Sequence, residues 1–365
     1  MNSPVRKIRT PVRREGASRY LLILLISFAA SVTLTRLFLQ LTGYPQIGAG
    51  SLHIAHVLWG GLLLFLASLL PLFLANRWAS SLSAMLAGAG TGLFIDEVGK
   101  FITTTNDYFY PPAAPIIYVF FLLTVWVYVQ IRKPPSQDPR AAFYRVLEGL
   151  EEVLDRDLEP PEQAELVRRL GEIVRSTEDP ELVRLGKSLL QYLESGSASL
   201  AASRPTLLAR VRASLERWEN RAVSRPRLRM IVAGGLAALG AVQVAGLLQL
   251  VLALNVPSKL EAILAEWVLE NRVSSVAALY WFFARLALEA SVGVLLILAA
   301  GLLILRREKP AVSLATIGLM LSLAGTNLLA FYFDQFSTIL PAAIEFLWLL
   351  LVLRYRARFL SRSGN

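Results

Sequence analysis

The chain is 365 residues long and 55% hydrophobic, with 37 Lys and Arg against 27 Asp and Glu, a formal net charge of +10 and no cysteine. A mean hydropathy of +0.52 is too apolar for a soluble enzyme of this length and predicts a multi-pass membrane protein. The missing cysteines exclude disulfides, thiolate metal ligands, iron-sulfur clusters and cysteine nucleophiles, so a metal site would have to use histidine, carboxylate or carbonyl oxygen.

A basic leader, residues 1–19, carries Arg6, Lys7, Arg9, Arg13, Arg14 and Arg19. It runs into an apolar stretch from Tyr20 to about Leu41 that reads as a retained signal anchor. Seven further apolar spans are expected near 51–75, 79–101, 113–131, 230–254, 277–305, 311–333 and 337–353. Basic residues at Arg77, Arg132 with Lys133, Arg225 to Arg229, Arg306 to Lys309 and Arg354 to Arg362 all fall on the leader's side. By the positive-inside rule that side is cytoplasmic, which places both termini inside. The same basic residues lie beside apolar spans, where they meet lipid headgroups, and no basic-aromatic platform for nucleic acid accompanies them.

Between the fourth and fifth spans, residues 134–226 are polar with apolar residues at helical spacing, Phe143, Val146, Leu147, Leu150, Val153 and Leu154 first. Further helices are marked by Leu166 to Val174, by Leu182 to Leu193, and at 205–222, and Ser195-Gly-Ser-Ala-Ser reads as a hinge. Asp138-Pro139 and Asp179-Pro180 each pair an N-cap with proline in the first turn. Asn255 to Arg272 reads as an amphipathic helix on the outer surface.

Met85-Leu-Ala-Gly-Ala-Gly-Thr-Gly-Leu in the third span is echoed by Met320-Leu-Ser-Leu-Ala-Gly-Thr-Asn-Leu in the seventh, and Pro-Ala-Ala follows at Pro112 and at Pro341. The expected fold is therefore all-α: a polytopic membrane bundle of eight helices as a 4+4 parallel repeat. The halves would be residues 20–133 and 227–356, with the helical domain 134–226 inserted between them and a cytoplasmic tail at 357–365.

Ionisable residues inside spans cost about 2.5–3.5 kcal/mol each on insertion scales, so a chain keeps them for pairing, binding or transport. On the expected topology Arg36, His53, His56, Asp96, Glu97, Lys100, Arg285, Glu289, Asp334 and Glu345 all fall in the outer half of their spans or at its edge, implying a polar cavity open outward. His53 and His56, the only histidines, share one helical face if both are helical, and Asp96 and Glu97 lie at similar depth. Adjacent helical residues diverge by about 100°, so one of these carboxylates points at the histidine face. Besides the handling of a proton or an anion, two chemistries fit. One is a divalent metal site for zinc, manganese or iron. The other is a salt-bridged polar network in which Asp96 pairs with Lys100 four residues on. Arg285 and Glu289 read as a structural i, i+4 pair, and Asn106-Asp107-Tyr108-Phe109-Tyr110 as an interfacial aromatic belt or a lid. Gly88, Gly90, Gly92 and Trp59-Gly60-Gly61 read as close helix packing.

His-Ile-Ala-His-Val-Leu-Trp-Gly-Gly from His53, Gly-Leu-Phe-Ile-Asp-Glu-Val-Gly-Lys-Phe-Ile-Thr from Gly92 and Asn-Asp-Tyr-Phe from Asn106 resemble a group of uncharacterised bacterial integral membrane proteins that share these strings. The resemblance covers spans two to four and implies no activity. In joining intramembrane His and Asp the chain is loosely similar to membrane metal hydrolases of the ceramidase and progestin-receptor type, but it lacks their third histidine and their Ser-x-x-x-His and His-x-x-x-His strings. Three functions remain open: binding or transport of a small ion or molecule, metal-dependent hydrolysis at the outer leaflet, and an interaction protein that recruits a cytoplasmic partner through residues 134–226.

Overall fold

The computed structural model describes residues 11–43, 55–108, 110–132, 138–195, 200–201, 224–253 and 276–360. His53, the helix expected at 205–222, most of the hinge after Ser195 and all of the amphipathic segment from Asn255 to Arg272 lie outside these residues. Every regular element described is helical: α1 (Ala17–Thr42), α2 (His56–Phe73), α3 (Arg77–Asp96), α4 (Val98–Ile102), α5 (Ala113–Ile131), α6 (Pro139–Leu154), α7 (Pro160–Ser176) and α8 (Pro180–Glu194). Then come α9 (Arg225–Ala253), α10 (Val276–Ile304), α11 (Glu308–Leu321), a π-turn (Ser322–Thr326), α12 (Asn327–Asp334), a 3-10 turn (Gln335–Thr338) and α13 (Ile339–Phe359).

Seven of the helical stretches are long and apolar enough to cross a bilayer; Glu308–Phe359, 52 residues, counts as one of them. Their large apolar side chains point outward in numbers that water would not tolerate: Phe65, Leu72, Val242, Leu252 and Leu347 are all more than half exposed. A lipid solvent removes that penalty, and the chain is a multi-pass helical membrane protein.

The chain divides into two compact units, which run through α1, α2, α3 and α5 rather than between helices. One unit lies within Met1–Ser27, Leu63–Ala89 and Thr124–Arg212. Its polar part is a helical bundle with Phe143, Val146, Leu158, Leu166, Leu170, Ile173 and Leu193 as an apolar core, each large side chain contributing about 1.5–3 kcal/mol by burial. Asp138 accepts a hydrogen bond from the Arg140 backbone N–H and Asp179 one from that of Glu181, so both aspartates cap their helices as their position before proline implies. The start of α7 carries a capping box between Glu159 and Glu162, which the sequence pattern does not single out. We expect Asp179→Ala to cost about 1 kcal/mol, read as roughly fivefold faster hydrogen exchange at the first-turn amides of α8 in the full chain; unchanged exchange would show that the cap is idle.

In the same unit, Pro71 lies inside α2 and cannot donate to the Ala67 carbonyl four residues back. That carbonyl accepts the Ser83 hydroxyl of α3 at 2.7 Å instead. Of the glycines expected to pack closely, Gly88 does so in this unit, where an added Cβ would collide with the Leu24 carbonyl oxygen, whereas at Gly61, in the other unit, an added Cβ would meet nothing within 4 Å.

The other unit comprises Phe28–Leu62, Gly90–Leu123 and Ala213–Asn365. Its main core joins α9, α10, α11 and α13 through Val232, Leu236, Val292, Leu296, Leu303, Leu319, Val352 and others. Beside it, Tyr118 of α5 stacks on Phe331 of α12 at 4.5 Å between ring centroids. The chain reverses between α12 and α13, where Gln335 takes φ 49°, so that α11 packs back on α13.

Candidate functional site

Four elements of this second unit converge on one ionised cluster. The α3 helix ends at Asp96, Glu97 leaves helical geometry at φ −90°, ψ 10°, and α4 resumes at Val98. This break changes the geometry expected from sequence. A straight helix would aim one carboxylate away; with the break, both come to His56. The His56 Nε2 lies 3.1 Å from Asp96 Oδ2, and Nδ1 lies 3.9 Å from Glu97 Oε1. The break also reassigns Lys100, whose ammonium sits 2.5 Å from Glu97 Oε1, whereas the i, i+4 spacing points to Asp96.

Each charge in the cluster has a partner from a different element. From α1, Arg36 donates through Nε to Asp96 Oδ1 at 2.6 Å and through Nη2 to the Asp96 carbonyl at 3.0 Å. Its guanidinium lies 4.1 Å from the Tyr108 ring centroid and 3.6 Å from that of Phe336, a cation held between two aromatic faces. Tyr108 donates its hydroxyl to Asp96 Oδ2 at 2.7 Å. Burial, and then the neighbouring Asp96 carboxylate, hold that phenol far above its ordinary range, so it stays a donor. Glu97 Oε2 accepts the Val57 backbone N–H at 2.8 Å, satisfying one of the unpaired donors in the first turn of α2. Asp96 and Glu97 are 0% and 1% exposed, while His56 keeps 22% of its side chain accessible.

Glycine makes the cluster possible at one point. A Cβ at Gly99 would lie 2.6 Å from the Asp107 carbonyl oxygen, so any larger residue would push the loop that carries Tyr108 off α4. Asn106, exposed and at φ 53°, turns that loop, and the Asp107 backbone N–H donates to the Thr103 hydroxyl at 2.8 Å. Both residues shape the loop.

The remaining expected residues form two further clusters. Arg285 pairs with Glu289 at 2.7 Å, as its spacing implies, and with Asp334 at 2.6 Å. Glu345 accepts from Gln243 Nε2 at 2.8 Å and from Asn327 Nδ2 at 2.8 Å, and Gln243 also donates to the Ser322 hydroxyl at 3.0 Å. Sequence reasoning brings Arg36, His56, Asp96, Glu97 and Lys100 forward but takes Tyr108 for part of a belt or a lid and passes over Phe336, Gln243 and Asn327. The only signal for Tyr108 is its place behind Asn-Asp in a loop that the Asp-Glu helix end must feed.

Among the described residues no group of three or more His, Asp or Glu side chains is arranged to hold a metal ion. Comparison with family models, with curated proteins and with solved structures finds no match for the chain.

Proposed function

We propose that the protein binds a small ion at the His56 cluster and moves it across the membrane, the preferred cargo being a small anion that loads together with a proton. The observation that carries this reading is the charge count around His56, which with Lys100 keeps part of its side chain accessible while both carboxylates are buried. With His56 neutral, Arg36 and Lys100 balance Asp96 and Glu97. With His56 protonated, three cations face two carboxylates, and a bound anion restores neutrality in surroundings where an uncompensated charge costs about 2.5–3.5 kcal/mol. Proton and anion therefore load as a neutral pair, with His56 taking the proton and Lys100 orienting Glu97. On this reading the chain has eight spans in a bacterial inner membrane, α11 to α12 and α13 being separate crossings, with both termini cytoplasmic.

The test is uptake of chloride, nitrate and acetate into proteoliposomes under an inward proton gradient. We expect His56→Gln, which keeps a hydrogen-bonding side chain but cannot take the proton, to lower proton-driven uptake about a hundredfold, the equivalent of one uncompensated charge. Equal fluxes in the parent and in His56→Gln would sink the proposal. A divalent metal at the same place would have to displace Arg36 and Tyr108 from Asp96, so stoichiometric zinc, manganese or iron in the purified protein would replace it with the hydrolase reading.

A further inference from the structure

The first unit contains a cavity of about 890 Å³ that the ionised cluster does not involve. It is bounded by the chain just ahead of α1 and the first residues of that helix, by the end of α5, and by α6 and α7. Seven arginines line it against three glutamates. Two of the arginines absorb all three carboxylates: Arg168 pairs with Glu165 and Glu172, and Arg169 with Glu165 and Glu15. Hydrogen bonds from Arg168 and Arg169 hold Glu165 down at about 2, so it is fully ionised and spent on that pair. Positive charge is left over among the remaining lining residues. Arg145 on α6 and Arg175 on α7 have no carboxylate partner among the described residues, and Arg132 lies against the Tyr128 ring at 5.7 Å.

The cavity sits where two apolar helices begin and end. Ala17 opens α1 and Ile131 closes α5, and Arg13 is fixed between them by a 2.7 Å hydrogen bond from its guanidinium to the Ile131 carbonyl. A turn or so into the same helices, Leu22, Trp126 and Val129 are exposed, the composition of a bilayer boundary, with tryptophan at its polar edge. A guanidinium group with spare donors binds phosphate oxygens in a planar, bidentate manner, and basic pockets at span ends suit lipid phosphates.

The geometry points to a binding site for a phosphate-bearing anion in this cavity, held by Arg132, Arg145 and Arg175, with an anionic phospholipid as the source and its acyl chains lying along Leu22, Trp126 and Val129. The site is independent of the His56 cluster, and its test reads no transport.

The experiment is thermal unfolding of the full chain in detergent with added phosphatidylglycerol, phosphatidylcholine or inorganic pyrophosphate. Phosphatidylglycerol is expected to raise the midpoint and phosphatidylcholine to leave it unchanged. In the double variant Arg145→Gln, Arg175→Gln the apparent affinity for phosphatidylglycerol should fall about tenfold or more, whereas Arg184→Gln, on α8 away from the cavity, should behave as the parent. Pyrophosphate that reproduces the stabilisation with the same dependence on Arg145 and Arg175 assigns the site to a soluble phosphate compound; pyrophosphate without effect assigns it to lipid. Equal effects of the two lipids, or equal losses in the double variant and in Arg184→Gln, overturn the proposal.

Discussion

Asp96→Ala is expected to destabilise the folded protein by about 3–5 kcal/mol, the cost of removing one member of a buried ion pair. Asp96 is fully buried and holds Arg36, His56 and Tyr108 at once. Without it the Arg36 guanidinium stays enclosed between Tyr108 and Phe336 with no anion to face. Arg36→Met alone leaves Asp96 with His56 and Tyr108 as donors and should cost less. Combining Arg36→Met with Asp96→Ala should give a protein more stable than Asp96→Ala by itself, because the stranded charge is gone. Reversible unfolding in mixed micelles measures all three. Additivity of the two single changes within about 0.5 kcal/mol would show that the pair is uncoupled and that its short distance carries no energetic weight.

Gly293→Val should rank next. In the α9–α10 contact, a Cβ at Gly240 would lie 2.6 Å from the Gly293 carbonyl oxygen, and one at Gly293 would lie 2.6 Å from the Gly240 carbonyl oxygen. Each helix therefore rests its backbone on the other, the small-residue packing that membrane helices use when no hydrophobic drive separates them from lipid. The obstacle is a carbonyl within a helix, so no rotamer change relieves it. A cost of about 1–3 kcal/mol or more is expected from overpacking, seen as a lowered unfolding midpoint. At Gly234, on the same helix α9, an added Cβ would have nothing within 4 Å, so Gly234→Ala should be neutral or stabilise by up to about 1 kcal/mol through helix propensity. Equal effects at the two positions would refute the backbone contact.

The apolar helices, the polar bundle and its aspartate caps are legible in the sequence because each rests on local pattern: run length, 3.6-residue spacing, and Asp before Pro. So is the meeting of His56 with the Asp-Glu pair, since charge inside an apolar span has few places to go. The details are not legible where they depend on a break in that local pattern. Val-Gly-Lys after Asp96-Glu97 gives no strong stop signal, yet the turn at Glu97 decides that Lys100 meets Glu97 and that both carboxylates reach one imidazole. Tyr108 and Phe336 come to Arg36 from a loop and from a turn more than 70 and 290 residues along the chain, and no spacing rule reaches that far. The two echoed strings also differ in conformation: Met85 to Leu93 is α-helical, while the second passes through the π-turn.

That π-turn sets which side chains share a direction. In an unbroken α-helix, residues five apart project about 140° away from each other, so Ser322 and Asn327 would serve different neighbours. Here the Asn327 N–H bonds the Ser322 carbonyl across five residues, and the wider turn stacks the two on one side. Ser322 thereby reaches Gln243 and Asn327 reaches Glu345, while Gln243 and Glu345 bond each other. One residue beyond the normal helical count is enough to close that ring of four. Length in this span is consequently a coded quantity: a homologue one residue shorter between Leu321 and Asn327 would keep its hydropathy and lose the convergence.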